Sequence, residues 1–175
     1  SAALQYYNGS SWVTVPVSGQ VTITAGATSL QVRTAITNDT LDENNETFTL
    51  TAAHVSGTLT STANVVATGT ILDDDPLPSL SIDDVTRNEN TGTMTFTVTL
   101  SAASGRAVTV NYATASGTAA SGTDFTAASG SLTFNPGETT KSIIVTIADD
   151  NLVELSETFT VGLSGAVNAT ISDNS

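Results

Sequence analysis

Residues Thr93–Leu100 read T-M-T-F-T-V-T-L, with apolar side chains at every second position. The apolar residues are Met94, Phe96, Val98 and Leu100, and the other four are threonines. Successive side chains of a β-strand point to opposite faces, so this pattern predicts a strand with one buried and one solvated face. Strands of this kind are typical of an antiparallel sheet that packs on one side.

The rest of the chain also has a sequence pattern typical of β-strands. From Gln20 onward, short Thr- and Val-rich runs are broken by Gly, Asn, Asp and Ser, and no stretch shows a 3.6-residue apolar period. The sequence therefore predicts an all-β fold of antiparallel sandwich type. The predicted strands lie near 20–24, 30–37, 46–53, 64–72, 79–86, 93–100, 107–114, 130–135, 141–148 and 156–164.

A hairpin is predicted for Leu4–Pro16, because Asn8-Gly9 is a favoured turn between alternating segments. Tyr6, Tyr7 and Trp12 are available to pack across it. The same aromatic residues could instead offer a stacking platform for a sugar, and hairpin packing is the favoured interpretation.

An internal repeat organises the chain. Residues 18–53 align without gaps onto residues 129–164, a shift of 111 positions, with thirteen identities in thirty-six. The alignment places Arg33 opposite Ile144, which predicts that Ile144 faces solvent. Ile143, Val145 and Ile147 are then expected to face inward.

The repeat includes an acidic stretch at Ala148–Phe159, A-D-D-N-L-V-E-L-S-E-T-F, which contains no Lys or Arg. At an effective dielectric near 20, two carboxylates about 4 Å apart repel by roughly 4 kcal/mol. Such a cluster requires a cation, and oxygen ligands without Cys or His favour calcium. A solvated acidic loop is the alternative, but the acidic spacing recurs in Thr37–Phe48, which favours the ion site.

Several motifs together resemble the Calx-beta domain, found in sodium/calcium exchangers and in tandem arrays of large bacterial surface proteins. The matching motifs are G-T-D-F at 122–125, S-G-S-L-T-F at 129–134, P-G-E-T at 136–139, D-D-x-x-V-E-x-x-E-T-F at 149–159 and G-T-I-L-D-D-D at 69–75. The resemblance covers nearly the whole chain from Ser18 and implies immunoglobulin-like β-sandwich modules.

The resemblance also implies calcium ligands at one pole of each module. In the second module these are Glu89, Asp124, Asp149, Asp150, Glu154 and Glu157. In the first they are Asp39, Glu43, Glu46, Asp73, Asp74 and Asp75. The last three could alternatively form a polar linker, and shared ligation at the junction is favoured.

Length and charge limit the remaining possibilities. A 111-residue repeat in 175 residues predicts about one and a half modules. The predicted division is a first module at 1–75 without its early strands, a proline-containing linker at 76–78, and a second module at 79–175 without its closing strand. The net charge of −13 argues against nucleic acid or anionic membranes as partners, and the absence of cysteine excludes disulfides.

Three other side chains have open interpretations. Asp83 and Asp84 could be ligands or solvated strand residues. His54 is expected to be an exposed residue at a strand end. With one histidine and no nucleophile motif, a catalytic triad is not expected, and no aromatic cleft surrounds Glu154 and Glu157 as a glycosidase would require.

The functional expectation is a calcium-binding extender segment of a large secreted or surface-anchored bacterial adhesin, without enzymatic activity. Because the first residue is Ser1, the chain is expected to be an internal piece of a longer protein. Its expected partners are calcium ions and neighbouring modules, including identical chains joined by strand complementation into a fibre. A regulatory calcium sensor and a carbohydrate-binding module are the alternatives.

Overall fold

The computed structural model describes residues 3–55, 63–150 and 153–173. Its contacts divide the chain into two compact units. Unit 1 comprises Ser1–Asp39 and Asn45–Leu72, and unit 2 comprises Thr40–Asn44 and Asp73–Ser175. Five residues from the acidic stretch of the first repeat therefore belong to unit 2.

The described residues of unit 1 form two small antiparallel sheets. Its strands are β1 (Gln5–Tyr7), β2 (Trp12–Thr14), β3 (Val32–Arg33), β4 (Glu46–Ala52) and β5 (Val65–Ile71). One sheet has the order β2-β1-β3, and β4 pairs with β5 in the other.

The predicted hairpin of unit 1 is confirmed. Tyr7 pairs with Trp12 across it, with their ring centroids 5.6 Å apart. Gly9 adopts a positive φ of 98°, and the Asn8 side chain accepts hydrogen bonds from the backbone of Ser10 and Ser11. This turn needs the left-handed conformation, which glycine adopts without a steric penalty.

Unit 2 is a β-sandwich. Its strands are β6 (Ser79–Ile82), β7 (Thr93–Leu100), β8 (Val108–Ser116), β9 (Ser129–Phe134), β10 (Thr140–Thr146), β11 (Phe159–Val167) and β12 (Thr170–Ile171). One sheet has the order β10-β7-β6-β12, and the other has the order β11-β8-β9. A 3-10 turn at Glu89–Thr91 precedes β7.

The core of unit 2 lies between these sheets. On β7, the side chains of Phe96, Val98 and Leu100 are buried as the alternation predicted. On β10, Ile143 and Val145 are buried while Ile144 is 63% exposed, which confirms the orientation inferred from the repeat. All buried apolar side chains among the described residues lie in unit 2.

Several predicted strands are shorter or absent. Residues 20–24 form no strand, although the matching residues 131–135 lie in or next to β9, which pairs with β8. The described part of unit 1 has no strand that pairs with residues 20–24 as β8 pairs with β9. The strand predicted at 30–37 is limited to Val32–Arg33.

Side-chain hydrogen bonds explain two other differences. β6 ends at Ile82, because the next residue, Asp83, accepts the Thr97 backbone N–H through its carboxylate at 2.6 Å. β11 begins at Phe159, because the preceding Thr158 N–H donates to the Thr118 hydroxyl at 2.8 Å.

The sequence also did not predict β12, which pairs with β6 in a parallel sense. That sheet of unit 2 is therefore not wholly antiparallel. None of the described residues forms a helix long and apolar enough to cross a membrane.

Candidate metal centre

A tight turn in the β8–β9 connection positions Asp124. Its carboxylate accepts the Ala120 backbone N–H at 2.6 Å, and its own N–H donates to the Ala120 carbonyl at 3.0 Å. The Asp124 carbonyl accepts the N–H of Ala148 at 2.9 Å, which ties the turn to the chain just after β10. Gly122 has a φ of 97°, which explains the glycine of the G-T-D-F motif.

The same connection holds the residue that follows Glu157. The Thr158 N–H donates to the Thr118 hydroxyl, and the Thr158 carbonyl accepts the Ala119 N–H at 2.9 Å. A Cβ at Gly117 would lie 2.4 Å from this carbonyl oxygen, so only glycine fits here. These contacts anchor the start of β11 beside the Asp124 turn.

Three carboxylates therefore converge. Ligand oxygens of Asp124, Glu154 and Glu157 all lie within 4.8 Å of one another. They line a cleft of about 550 Å³ whose wall also contains three carboxylates from two other segments: Glu89, Asp149 and Asp150. The cleft thus gathers the whole set of acidic residues that the resemblance implied for the second module.

The cluster shifts the pKa values of its own members. Loss of hydration, and then repulsion from Asp150, Asp124 and Glu89, raises the pKa of Glu154. Loss of hydration and the charge of Asp124 likewise raise the pKa of Glu157. The backbone hydrogen bond from Ala120 lowers the pKa of Asp124. Asp124 therefore ionises more readily than the two glutamates beside it.

A cation in the cleft would remove this repulsion. The donors are all carboxylate oxygens, without Cys or His, and such sets favour hard cations. Calcium accepts six to eight oxygen ligands in flexible geometry, whereas magnesium requires a near-ideal octahedron. Six carboxylates around an open cleft therefore fit calcium better.

The acidic residues of the first repeat are divided between the units. Asp39 and Glu46 belong to unit 1, while Glu43 and residues 73–75 belong to unit 2. Among the described residues, no second group of three carboxylates is as close as the group in the cleft. A calcium site built from Asp39, Glu43, Glu46, Asp73, Asp74 and Asp75 remains a prediction.

Sequence reasoning missed Asp42, which is 3% exposed in unit 2. Its carboxylate accepts hydrogen bonds from Arg106 Nε at 3.0 Å and Nη2 at 2.5 Å, and from the Ser104 hydroxyl at 2.9 Å. Its carbonyl accepts the Gly105 N–H. A usable signal was the repeat, which aligns Asp42 with apolar Val153 and so sets it apart from the repeated acidic positions.

The structure also places Trp12, Asp83 and His54, for which the sequence provided only an expectation. The guanidinium of Arg33 lies 4.2 Å from the centroid of the Trp12 ring, so this ring packs within the hairpin sheet. The carboxylate of Asp83 contacts the β7 backbone as described above. His54 is half-buried rather than exposed, and its Nε2 atom has no hydrogen-bond partner within the described residues.

Fold and site together define a class of protein. The chain is all-β, with a sandwich unit that carries a carboxylate cluster at one end and a sequence repeat that extends into a second unit. The sequence model of the Calx-beta domain matches residues 14–75 and 73–172. The chain therefore belongs to the Calx-beta family.

Curated relatives include sodium/calcium exchangers. Sodium/calcium exchanger 1 of Canis lupus familiaris is 35% identical over 97 residues, which cover 54% of this chain and 10% of the exchanger. Sodium/calcium exchanger 2 of Homo sapiens is 38% identical over 76 residues, covering 43% and 8%. The chain thus spans at most about a tenth of the length of these relatives.

Solved structures of Calx domains are also similar. The apo-form Calx CBD1 domain has 29% identity and a TM-score of 0.47, with 48% of this chain and 75% of that chain covered. The calcium binding domain CBD12 of CALX1.1 has 29% identity and a TM-score of 0.48, with 50% and 37% covered.

Proposed function

We propose that this chain is a calcium-binding structural segment of a tandem Calx-beta array. The observation that carries the proposal is the convergence of Asp124, Glu154 and Glu157, whose carboxylate oxygens lie within 4.8 Å of one another. Three carboxylates at this distance repel, and loss of hydration together with this repulsion raises the pKa values of the two glutamates. A bound calcium ion converts the repulsion into attraction and so stabilises unit 2.

The residues that would hold the ion come from separate segments. Asp124 lies in the β8–β9 connection, Glu154 and Glu157 precede β11, and Glu89 lies in the 3-10 turn before β7. Asp149 and Asp150 follow β10 and complete the acidic wall of the cleft. An ion bound by several segments ties their ends together, which is a mechanical contribution.

Isothermal titration with calcium tests the site directly. We expect saturable binding to the wild-type chain and a weakened or lost site in Glu154→Gln and Glu157→Gln. Glu138→Gln is the matched control, because Glu138 pairs with Lys141 at 2.7 Å and does not line the cleft. Equal calcium affinity in all four proteins would contradict the proposal.

The extender role requires calcium at the junction of the modules in addition to the cleft of unit 2. Calcium at the residues 73–75 and the first acidic stretch would stiffen the junction, and an array of such modules would project from a bacterial cell surface as a rod. The acidic chain and the absence of cysteine suit a metal-stabilised extracellular module. Small-angle scattering should show a longer, narrower distance distribution with calcium than with chelator.

The variant for this test is the triple change Asp73→Asn, Asp74→Asn and Asp75→Asn. It should scatter as the chelated wild type does, even in calcium. If the triple variant still lengthens with calcium, the three aspartates are a linker and the ions act elsewhere.

A regulatory calcium sensor is the second candidate, favoured by the similarity to sodium/calcium exchangers. Affinity separates the two functions, since sensor sites bind in the range of about 10⁻⁷ to 10⁻⁵ M and extracellular modules near 10⁻⁴ to 10⁻³ M. The same titration therefore decides between them. Submicromolar binding would favour the sensor.

A further inference from the structure

The loop that follows β8 contacts the segment that precedes β11 through Thr118. The Thr118 hydroxyl accepts the backbone N–H of Thr158 at 2.8 Å, and the two threonine hydroxyls lie 3.4 Å apart. The Thr158 carbonyl accepts the N–H of Ala119 at 2.9 Å. At this end of the sheet, the ladder of β8 and β11 stops with the pair of Ser116 and Phe159. Thr118 therefore continues the connection beyond the ladder, with a side chain in place of strand pairing.

Thr158 is the residue directly after Glu157, one of the carboxylates of the acidic cleft. Residues 153–158 form no strand, and residues 153–157 make no backbone–backbone hydrogen bond to another described residue. Consecutive Cα atoms are about 3.8 Å apart, so an anchor at Thr158 limits where Glu157 can lie. The bond from Thr158 to Thr118 is thus a direct restraint on the position of this carboxylate.

The same short loop also holds Asp124. The Ala120 N–H donates to the Asp124 carboxylate at 2.6 Å, and the Ala120 carbonyl accepts the Asp124 N–H at 3.0 Å. Three consecutive residues, 118–120, therefore bind both of these carboxylate-bearing segments. The residue before them is Gly117, where a Cβ would lie 2.4 Å from the Thr158 carbonyl oxygen. Glycine thus permits the loop to approach this closely.

The position that Thr118 imposes on Glu157 is unfavourable without a cation. Ligand oxygens of Asp124, Glu154 and Glu157 lie within 4.8 Å of one another. Like charges at this separation repel, and a segment without strand pairing would move to separate them. The hydrogen bond to Thr118 opposes this movement. It keeps the carboxylates together before an ion is bound.

We propose that Thr118 is a positioning residue of the calcium site. Thr118 does not line the cleft, so its hydroxyl acts through Thr158 and not on the ion itself. It holds Glu157 beside Asp124, and calcium then meets ligands that are already gathered, which favours tight binding. The inference rests on the proposed function, because it assigns a role in the same acidic cleft.

A purely structural role for Thr118 is the alternative, since a hydroxyl that accepts a backbone N–H contributes to stability in many settings. Thr114 provides the matched control. Its hydroxyl accepts the N–H of Ala128 at 3.0 Å and lies 3.3 Å from the Ala128 carbonyl oxygen. Thr114 lies on β8, and neither Thr114 nor Ala128 lines the acidic cleft. Thr114→Val therefore removes the same kind of bond at a place that holds no carboxylate of the cleft.

Calorimetric titration with calcium compares the wild type with Thr118→Val, Thr118→Ser and Thr114→Val. Thr118→Val should bind calcium about 10- to 100-fold more weakly, the loss typical when a group that orients metal ligands is removed. Thr118→Ser keeps the hydroxyl and should bind as the wild type does. Thr114→Val should also keep the wild-type affinity. Loss of affinity in Thr118→Val, with rescue in Thr118→Ser, supports the inference.

Melting temperatures in EDTA separate positioning from stability. Both valine variants lose one hydrogen bond, but Thr118→Val also relieves the repulsion between carboxylates. Its melting temperature should therefore fall no more than that of Thr114→Val. Amide hydrogen exchange at Thr158 in EDTA should be faster in Thr118→Val and unchanged in Thr118→Ser, because only the first loses the acceptor. These two measurements need no calcium, and the melts verify that each variant is folded.

Three results would each overturn the inference: wild-type affinity in Thr118→Val, equal losses of affinity in Thr118→Val and Thr114→Val, or no rescue by Thr118→Ser. If the wild-type chain itself binds no calcium, the proposed function fails, and this inference with it. Calcium binding by the wild type with an unaffected Thr118→Val variant refutes the positioning role alone. The two failures are therefore distinguishable.

Discussion

The rings of Phe125 and Phe159 are stacked, with centroids 4.4 Å apart and planes inclined by 18°. Phe125 directly follows Asp124, and Phe159 lies two residues after Glu157. The ring centroids of Phe96 and Phe159 lie 6.0 Å apart in an edge-to-face arrangement. Phe96 belongs to the sandwich core, so this contact connects the stacked pair to the core. Asp124 and Glu157 are thus close in sequence to rings that pack in or against the core of unit 2.

This stack predicts a link between core packing and ion affinity. Phe125→Leu should reduce the free energy of unfolding by roughly 0.5–3 kcal/mol, as core truncations commonly do. It should also weaken calcium binding, because the Asp124 turn loses its support. Phe134→Leu is the matched control, since Phe134 is 1% exposed but does not line the acidic cleft. Calcium titration of both, beside urea unfolding, would show whether only the first variant loses affinity.

Calcium should raise the melting temperature of unit 2. At free calcium about a hundred times the dissociation constant, one site stabilises the folded state by roughly 2.7 kcal/mol. Glu154→Gln and Glu157→Gln should remove most of this shift, whereas Glu138→Gln should keep it. Calorimetric scans in EDTA and in millimolar calcium provide the measurement, and coincident scans would rule out structural calcium.

The glutamate pKa values predict an unusual pH dependence without calcium. The pKa values of Glu154 and Glu157 are raised in the folded chain above the ordinary value of 4.5, so the folded state binds protons first as the pH falls from neutral. Their contribution to stability therefore grows as the pH falls towards 4.5 and is lost as the pH rises through the raised values. The pKa of Asp124 is lowered, so its contribution to stability is lost as the pH falls, but only near and below pH 3.8.

Melting temperatures in EDTA across this pH interval test the prediction. A Glu154→Gln, Glu157→Gln double variant should lose the upward trend on acidification. With calcium present, protons compete for the same oxygens, so the calcium-induced shift should shrink as the pH falls. A wild type and double variant with parallel pH profiles would refute the assignment.

The ion pair between buried Asp42 and half-buried Arg106 predicts a strong effect of a small change. Asp42→Asn removes the charge that Arg106 faces and disrupts the hydrogen bonds to the Ser104 turn. In a domain of this size, each 1 kcal/mol lost from the free energy of unfolding lowers the melting temperature by about 4–8 °C. Lys141→Ala breaks the more exposed ion pair with Glu138. This variant should change the melting temperature little. Similar melting temperatures for the two variants would show that burial of Asp42 contributes nothing.

The sequence by itself determined the fold class, the orientation of β7 and β10, the Asn8-Gly9 hairpin and the candidate carboxylates of the acidic cleft. The first three follow from local periodicity, turn chemistry and the repeat, and the candidate carboxylates follow from the resemblance to the Calx-beta domain. Strand alternation, for example, determines that Phe96 faces inward whatever lies across the core.

Only the tertiary structure decided which side chains meet. The failure of 20–24 to form a strand depends on a partner that no local pattern reports, and β12 pairs with β6 through Ile171 and Leu80, which are 91 positions apart. Asp42 and Arg106 are separated by 64 positions, so their pairing is a property of the folded chain. The carboxylates of Asp124 and Glu157 likewise converge because the Thr118–Thr158 hydrogen bond joins two distant loops, and long-range contacts of this kind are what local residue preferences leave undetermined.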